Sequence, residues 1–249
     1  MKLLKLFDLT LCLSGFLLFT SQVMAEPDYA REQRWADEIL PSLMVGDAVF
    51  FKQKNQHEFL GLYAEADSNE IAVIVVHGMG LHPDWGLIST IRQDLNETGY
   101  ATLSIQMPIL ASDAFSTMYP PLFPEAVERL QLAVHFLKQK KYKRVVIVSH
   151  SIGSRMSRVY MEKNPVDVSA WIALSLTQGD TFAGINVPVL DLYGEEDLAH
   201  VLVSVAERKK SLVNPLSQQK VIISADHFFN DQESTLLNEV KPFLVRLNQ

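Results

Sequence analysis

The sequence has almost no cysteine. Among 249 residues the one cysteine is Cys12, which lies in an apolar stretch near the amino terminus. A fold held together by disulfides and a metal site built on thiolates are therefore both excluded. The histidine and carboxylate residues show no metal-ligand spacing either. We expect no metal and no organic cofactor.

The chain also lacks an excess of positive charge. It carries 22 Lys and Arg against 29 Asp and Glu, a formal net charge of −7, with no basic run. Nucleic acid is bound through basic patches that neutralise phosphates. This composition argues against a nucleic-acid partner.

No apolar run is long enough for a membrane span. The longest, residues 9–19, falls well short of the ~20 residues that a spanning helix needs. Lys2 and Lys5 precede this run, and Ala25 closes a stretch of the kind that signal peptidase cleaves. We therefore predict that residues 1–25 are a secretory signal peptide, with an uncleaved anchor as the alternative. The mature protein would be periplasmic or secreted, without a stable membrane span.

The remaining residues, 26–249, are expected to form a single α/β domain, because 48% of the chain is hydrophobic and no repeat is present. Two alternating runs suggest antiparallel edge strands, at residues 45–52 and 58–64. Short apolar runs then predict six buried strands, at 71–76, 101–105, 144–148, 170–174, 187–192 and 221–223. Helical patterns fall at 28–40, 87–97, 124–140, 152–163, 198–212 and 234–247. Alternation of this kind predicts a mostly parallel, eight-stranded sheet with helices on both faces.

The most informative segment is Ser149-His150-Ser151-Ile152-Gly153, which follows the apolar run 145–148. A Small-x-Ser-x-Gly turn from strand to helix exposes its central serine on a strained tip. Ser151 is therefore the candidate nucleophile. Ser149 departs from the glycine more often found at the first position, and an ordinary polar turn is the alternative interpretation.

A second motif, His77-Gly78-Met79-Gly80, follows the strand predicted at 71–76. With these two motifs the chain resembles the α/β-hydrolase superfamily, which implies the α/β-hydrolase fold. In that superfamily, a loop after the third strand and the residue after the nucleophile supply the backbone N–H groups of the oxyanion hole. The resemblance implies that these donors are Met79 and Ile152.

A serine nucleophile needs a histidine base and an acid that orients it. Of the seven histidines, His227 follows the last predicted strand, as the superfamily pattern requires. His150 and His77 are expected to be structural and His135 to be a filler on its helix, while His82 and His200 could line the pocket. The pattern selects Asp197 as the acid; Glu196 is the rival. Asp191 within a strand and Asp226 beside the histidine are weaker choices.

Closer likeness comes from the segments 81–85, 101–108 and 190–194, which resemble a little-characterised family of exported proteobacterial α/β hydrolases. The short stretch between residues 174 and 187 has no room for a separate lid domain. The long irregular segment 106–123 is expected to form a partial wall over Ser151. We expect a mainly apolar substrate pocket formed by six residues: Leu81, Trp85, Phe115, Met118, Tyr119 and Phe228.

Together these features predict an exported serine hydrolase that cleaves a small-molecule ester-like substrate through Ser151, Asp197 and His227. Thioesters and amides need the same machinery. A second class stays open, a non-catalytic binding or envelope-assembly protein on the same fold, because Ser149 is not glycine and no specificity element is recognisable. The motifs do not indicate an oligomeric state.

Overall fold

The computed structural model describes residues 25–177 and 179–248. The predicted signal peptide, residues 1–25, therefore lies outside the described residues except for Ala25. Among the helices of the described ranges, none is both long and apolar enough to cross a membrane.

Within these ranges, eight strands form one sheet in the order β1-β2-β4-β3-β5-β6-β7-β8. The strands are β1 (Asp47–Lys52), β2 (Glu58–Ala64), β3 (Ile71–Val76), β4 (Ala101–Ile105), β5 (Arg144–His150), β6 (Val168–Leu174), β7 (Val189–Gly194) and β8 (Gln218–Ile222). β2 pairs antiparallel with β1 and with β4, and every other pairing is parallel. The predicted mostly parallel sheet is confirmed.

The helices are α1 (Tyr29–Ile39), α2 (Gly86–Glu97), α3 (Phe123–Gln139), α4 (Ile152–Met161), α5 (Ala199–Leu202), α6 (Val205–Ser211) and α7 (Glu233–Arg246). The single helix predicted over 198–212 is wrong, since the chain forms α5 and α6 there. The segment 106–123 contains two short 3-10 turns, Ser116–Met118 and Pro120–Leu122. Residues 175–188 join β6 to β7, and the described ones form neither helix nor strand.

Strand β3 shows how the core is divided between the two faces of the sheet. All six of its residues are buried, and alternate side chains of a strand point to opposite faces. Ala72, Ile74 and Val76 pack in a cluster with α3 and α4. The residues between them pack in a second cluster with α2 and α7. Both faces are thus covered, as a parallel sheet requires.

A buried arginine of α3 connects α1 to the rest of the fold. Arg129 of α3 is fully buried and donates to Glu32 Oε2 of α1 at 2.9 Å, to Gln53 Oε1 at 3.0 Å and to the Gln106 carbonyl at 3.1 Å. A buried charge is tolerated when it is paired and fully hydrogen-bonded. The network holds the beginning of the 106–123 segment against the sheet.

Candidate active site

The site lies where β5, β7 and β8 end. Ser151 follows β5, Asp197 lies in the turn after β7, and His227 lies in the loop after β8. These strands are parallel, so their carboxyl ends share one edge of the sheet, where ligands of such folds bind. Three residues that are far apart in sequence are thereby brought together.

The turn from β5 into α4 holds Ser151 in a strained conformation. Its backbone has φ 57° and ψ −123°, which L-residues rarely adopt. The Ser151 N–H donates to the Leu174 carbonyl at 2.9 Å, and the Ser151 carbonyl accepts from Ser154 N–H at 2.9 Å. Gly153 permits the turn, because a Cβ there would lie 2.3 Å from the His77 carbonyl oxygen. The loop after β3 and the start of α4 are therefore in backbone contact.

Ser151, His227 and Asp197 form a hydrogen-bonded chain. His227 Nε2 lies 2.9 Å from Ser151 Oγ, and His227 Nδ1 lies 2.6 Å from Asp197 Oδ1. Because the carboxylate accepts at Nδ1, Nε2 is the ring atom that can accept the serine proton. His227 and Asp197 are both buried. The arrangement can deprotonate the serine hydroxyl as it attacks.

The three other candidate carboxylates do not reach this histidine side chain. Glu196 is exposed. Asp191 is buried in an ion pair with Arg208, whose Nε lies 2.8 Å from Asp191 Oδ2. Asp226 accepts from the backbone N–H of Phe228 and Asn230. Of the four, Asp197 is the one in contact with the ring of His227.

The Asp197 carboxylate is surrounded by donors. Besides His227, Oδ1 accepts from Leu198 N–H at 2.7 Å, and Oδ2 accepts from Ser175 Oγ at 2.5 Å and from Gly194 N–H at 3.3 Å. Burial acts to raise the pKa of Asp197, but the hydrogen bonds from His227 and Ser175 outweigh it and hold the pKa below its usual value. Asp197 therefore stays ionised beside His227.

The loop after β3 is braced by His77. Its Nδ1 donates to the Gly78 carbonyl at 2.8 Å, and its Nε2 accepts from Met107 N–H at 2.8 Å. Within residues 25–177 and 179–248, the backbone N–H groups of Met79 and Ile152 have no hydrogen-bond partner. Both residues line the cleft beside Ser151. Two backbone donors are thus available next to the serine.

Two buried histidines near the serine are held neutral. Burial lowers the pKa of His77 to about 3 and that of His150 to about 4. His150 Nε2 donates to the His227 carbonyl at 2.8 Å, and its ring centre lies 5.0 Å from that of His227. His150 therefore supports the backbone of His227 rather than contacting the serine hydroxyl.

Ser149, the residue that departs from the glycine pattern, has a partner of its own. Its Oγ accepts the indole N–H of Trp171 at 2.8 Å, and both side chains are buried. A buried indole N–H without an acceptor would be costly. The packing of Trp171 under the elbow accounts for a serine at this position.

A cleft of about 160 Å³ opens beside Ser151. Its wall is mainly apolar, and among the described residues no Lys, Arg, Asp or Glu lines it. The side chains of the wall, apart from the serine and its histidine, are Met79, Leu81, Ser116, His150, Ile152, Thr177, Leu198, His200 and Phe228. Sequence reasoning did not identify Ser116, Thr177 or Leu198, which belong to no motif.

The six residues predicted for the pocket are divided by the structure. Leu81 and Phe228 line the cleft. Trp85 does not line it, but its ring centre lies 5.8 Å from that of Phe228. Phe115 and Met118 are 73% and 46% exposed and do not line the cleft either. The prediction for Tyr119 is wrong: its side chain is 1% exposed in the core, where its hydroxyl accepts from Leu110 N–H.

No cluster of three or more His, Cys, Asp or Glu side chains with the spacing to hold a metal ion occurs in residues 25–177 and 179–248. His82, predicted as a possible pocket residue, lies against Trp35 with ring centres 5.5 Å apart. His57 lies near Glu32, with Nε2 3.0 Å from Oε2.

One protein family of known sequence profile matches the amino-terminal part of the chain. A family profile described as protein of unknown function (DUF3530) matches residues 20–122. The matched stretch ends before Ser151 and covers less than half of the chain. No curated protein matches the chain in sequence.

Solved structures resemble about four fifths of the chain. Est1E from Butyrivibrio proteoclasticus is 15% identical with a TM-score of 0.64, over 80% of this chain and 98% of Est1E. The Pyrococcus furiosus esterase Pf2001 is 16% identical with a TM-score of 0.62, over 80% and 91% of the two chains. An alpha-beta serine hydrolase homologue from Coxiella burnetii is 14% identical with a TM-score of 0.60, over 78% and 95%.

Likeness at these identities defines the fold, and the fold is that of the α/β hydrolases. The strand order, the single antiparallel strand β2, and the positions of the three loops that carry Ser151, Asp197 and His227 all agree with it. The structural neighbours include esterases and other hydrolases. The fold predicted from the sequence is confirmed.

Replacement of Gly153 by alanine should be much more destabilising than the same change at Gly99. The new Cβ at 153 would meet the His77 carbonyl oxygen at 2.3 Å, whereas Gly99, at φ +93°, has nothing within 4 Å of the added Cβ. We expect Gly153→Ala to cost about 2 to 4 kcal/mol and Gly99→Ala about 1 to 2 kcal/mol. Urea unfolding measures both, and equal costs would contradict the close contact between the two loops.

Acid should destabilise the protein through His77 and His150. Their pKa values of about 3 and 4 in the folded protein lie below the unfolded value of about 6.5. The unfolded chain therefore takes up protons first, and stability present above about pH 6.5 declines as the pH falls toward 4. Each histidine should remove on the order of 2 kcal/mol from the free energy of unfolding between pH 7 and pH 5.

The variant His150→Gln should show a smaller loss of stability between pH 7 and pH 5 than the wild type. His135→Gln, on the exposed side of α3, is the matched control and should keep the wild-type loss. Urea unfolding at the two pH values measures the difference. If His150→Gln and His135→Gln lost stability equally, the buried neutral state of His150 would be refuted.

Proposed function

We propose that this protein is an exported serine hydrolase that cleaves carboxylic esters through an acyl-enzyme intermediate. The observation that carries this proposal is the chain of contacts from Ser151 Oγ to His227 at 2.9 Å and from His227 to Asp197 at 2.6 Å. The serine stands on a strained turn at the edge of the sheet beside an open cleft. The esterases among the structural neighbours support the same class.

In the first half of the reaction, Ser151 Oγ attacks the ester carbonyl carbon while His227 Nε2 takes the hydroxyl proton. Asp197 keeps the Nδ1 proton of His227 directed toward itself and stabilises the imidazolium. The tetrahedral intermediate collapses when His227 returns the proton to the leaving alcohol. The products are the free alcohol and an acyl group bound to Ser151.

In the second half, water replaces the alcohol. His227 Nε2 takes a proton from water as its oxygen attacks the acyl carbon, and then gives that proton to Ser151 Oγ as the acyl bond breaks. The carboxylic acid leaves and the serine hydroxyl is restored. No group outside the chain and water is needed for the balance of atoms and charge.

The backbone N–H groups of Met79 and Ile152 would bind the oxyanion in both halves. One preorganised donor of this kind lowers the barrier by about 2.7 to 4 kcal/mol. The brace between His77 and the Gly78 carbonyl holds the first of these groups in the loop after β3. Both are backbone groups, so the side chains of methionine and isoleucine are free to line the cleft.

The walls of the cleft favour a neutral, apolar acyl group. Leu81, Ile152, Leu198 and Phe228 line it, and no Lys, Arg, Asp or Glu does so among the described residues. Est1E is known with ferulic acid bound. The edge-to-face pair that Phe228 of the cleft wall forms with Trp85 makes an aromatic acyl group a second candidate here.

The alternative of a non-catalytic binding protein has less support once the contacts of Ser149 are known than it had from the sequence alone. Its first argument was the serine at position 149, and the indole N–H of Trp171 accounts for that serine without any loss of activity.

Export remains part of the proposal because residues 1–25 have the sequence pattern of a signal peptide. Amino-terminal sequencing of the mature protein from a periplasmic fraction should find Glu26 as the first residue.

A graded panel of chromogenic esters tests the proposal. The panel runs from acetate through butyrate to octanoate and includes a ferulate ester. We expect Ser151→Ala and His227→Ala to reduce kcat by about 10³-fold or more, and Asp197→Asn by about 10²- to 10⁴-fold. Glu196→Gln is the matched control, since its exposed side chain does not contact His227, and it should retain wild-type kcat.

Two outcomes would contradict the proposal. One is a folded wild type that hydrolyses none of the esters, thioesters or amides of the same acyl groups. The other is hydrolysis that persists in Ser151→Ala at the wild-type rate. A loss of activity in Glu196→Gln with none in Asp197→Asn would instead overturn the choice of acid.

A further inference from the structure

Ser175 is the residue next to the site for which the sequence offers no motif. It follows β6, the strand that lies between β5 and β7, so it stands between the strand ends that carry Ser151 and Asp197. Its side chain is fully buried, and its N–H donates to the Leu192 carbonyl of β7 at 2.8 Å. The residue is thus fixed to the strand that leads into the acid turn.

The hydroxyl of Ser175 has one partner among the described residues, Oδ2 of Asp197 at 2.5 Å. The two carboxylate oxygens of Asp197 have separate roles: Oδ1 accepts from His227 and Leu198 N–H, and Oδ2 accepts from Ser175 and, at 3.3 Å, from Gly194 N–H. Without the Ser175 hydroxyl, Oδ2 would keep only the long bond. Rotation of the carboxylate about its Cβ–Cγ bond would then be resisted by the contacts of Oδ1 and this long bond alone.

The backbone of Ser175 is strained in a way that glycine would relieve. Its φ is +51°, a left-handed value that glycine adopts freely and serine does not. A strained residue that persists in a buried position next to an active site points to a function for its side chain. The function that the side chain of Ser175 can serve is its hydrogen bond to Asp197, which glycine could not make.

We propose that Ser175 is a positioning residue of the site, whose hydroxyl holds the Asp197 carboxylate so that Oδ1 faces Nδ1 of His227. The inference rests on the proposed function for its kinetic consequence. Ser175 does not line the cleft, so it acts through Asp197 and not on the substrate. The other charged or titratable groups around Asp197 are His150 of β5 and Asp191 of β7, the latter paired with Arg208 of α6.

Two substitutions separate the hydroxyl from the backbone strain. Ser175→Ala removes the hydroxyl and keeps the strain, whereas Ser175→Gly removes both and should melt at a temperature no lower than Ser175→Ala. Ser224→Gly is the matched control: Ser224 also has a left-handed φ, +56°, but it is exposed, and no hydrogen bond of its side chain to Asp197 occurs in the described ranges.

For the ester that the wild type cleaves best, both Ser175 variants should lower kcat about 10- to 100-fold, because a hydrogen bond to a charged group is lost. KM should change by less than about twofold, since the cleft is untouched. The acid limb of the pH profile of kcat/KM should move away from its wild-type position, because the carboxylate in contact with His227 has lost both a donor and its fixed orientation. Ser224→Gly should match the wild type in all three quantities.

Proton NMR gives a readout that does not need turnover. The Nδ1–H of His227, in a 2.6 Å hydrogen bond to Asp197, should give a resonance far downfield in the wild type and in Ser224→Gly. In Ser175→Gly and Ser175→Ala it should shift or broaden. If a folded Ser175→Gly kept the wild-type resonance, the proposal would be overturned, as it would by wild-type kcat with an unmoved pH profile. A wild type without hydrolase activity would refute the proposed function, and the resonance would still decide the role of Ser175.

Discussion

The geometry of the site depends on one close backbone contact, between Gly153 at the start of α4 and the carbonyl of His77, the first residue after β3. A Cβ at position 153 would lie 2.3 Å from that carbonyl oxygen, so only glycine lets the helix begin so near the neighbouring strand. The contact holds the turn that carries Ser151 against the loop that carries Met79. Ser151 keeps its strained φ of 57° because it lies between β5 and α4, and the packing of these two elements fixes its backbone.

The buried polar groups around this contact are arranged so that one is charged and the others are neutral. Donors from His227, Ser175, Leu198 and Gly194 surround Asp197, and its pKa lies below the usual value. His77 and His150 meet backbone carbonyls instead and are kept neutral by burial. His227 is therefore the histidine whose ring joins the buried carboxylate to the serine, while the two neutral rings hold backbone in place. Such a division keeps the negative charge where it stabilises an imidazolium.

Much of this could be predicted from local patterns. The six apolar residues of β3 predicted that strand with the observed bounds, because burial on both faces leaves a direct signature in the sequence. The alternating residues 58–64 also predicted the bounds of β2, although this strand lies between β1 and β4 and six of its seven residues are buried. Strand β8 begins at Gln218, before its predicted start at residue 221, since an edge strand tolerates polar residues. The helix expected over 198–212 divides at Ser204, whose φ of −100° and ψ of 2° are not helical, and Arg208 of α6 then turns inward to Asp191.

The parts that could not be predicted depend on contacts between distant residues. Tyr119 was expected in the pocket because aromatic residues in a long loop are found both at sites and in cores, and only packing against α3 and its neighbours assigns it to the core. Ser149 looked like a departure from a motif until Trp171, on the neighbouring strand, supplied its partner. Ser175 had no signal at all, since a serine after a strand is common and its importance lies in the position of Asp197, which comes from a different strand.

The central claim is that Ser151 is a nucleophile activated by His227 and Asp197, and covalent labelling tests it most directly. The folded wild-type protein is incubated with a fluorophosphonate, and intact-mass and peptide-mapping mass spectrometry then locate the adduct. We expect a single phosphonyl group on Ser151, with none on the variant Ser151→Ala. A folded wild type that gains no mass, or an adduct that maps to another residue, would contradict it.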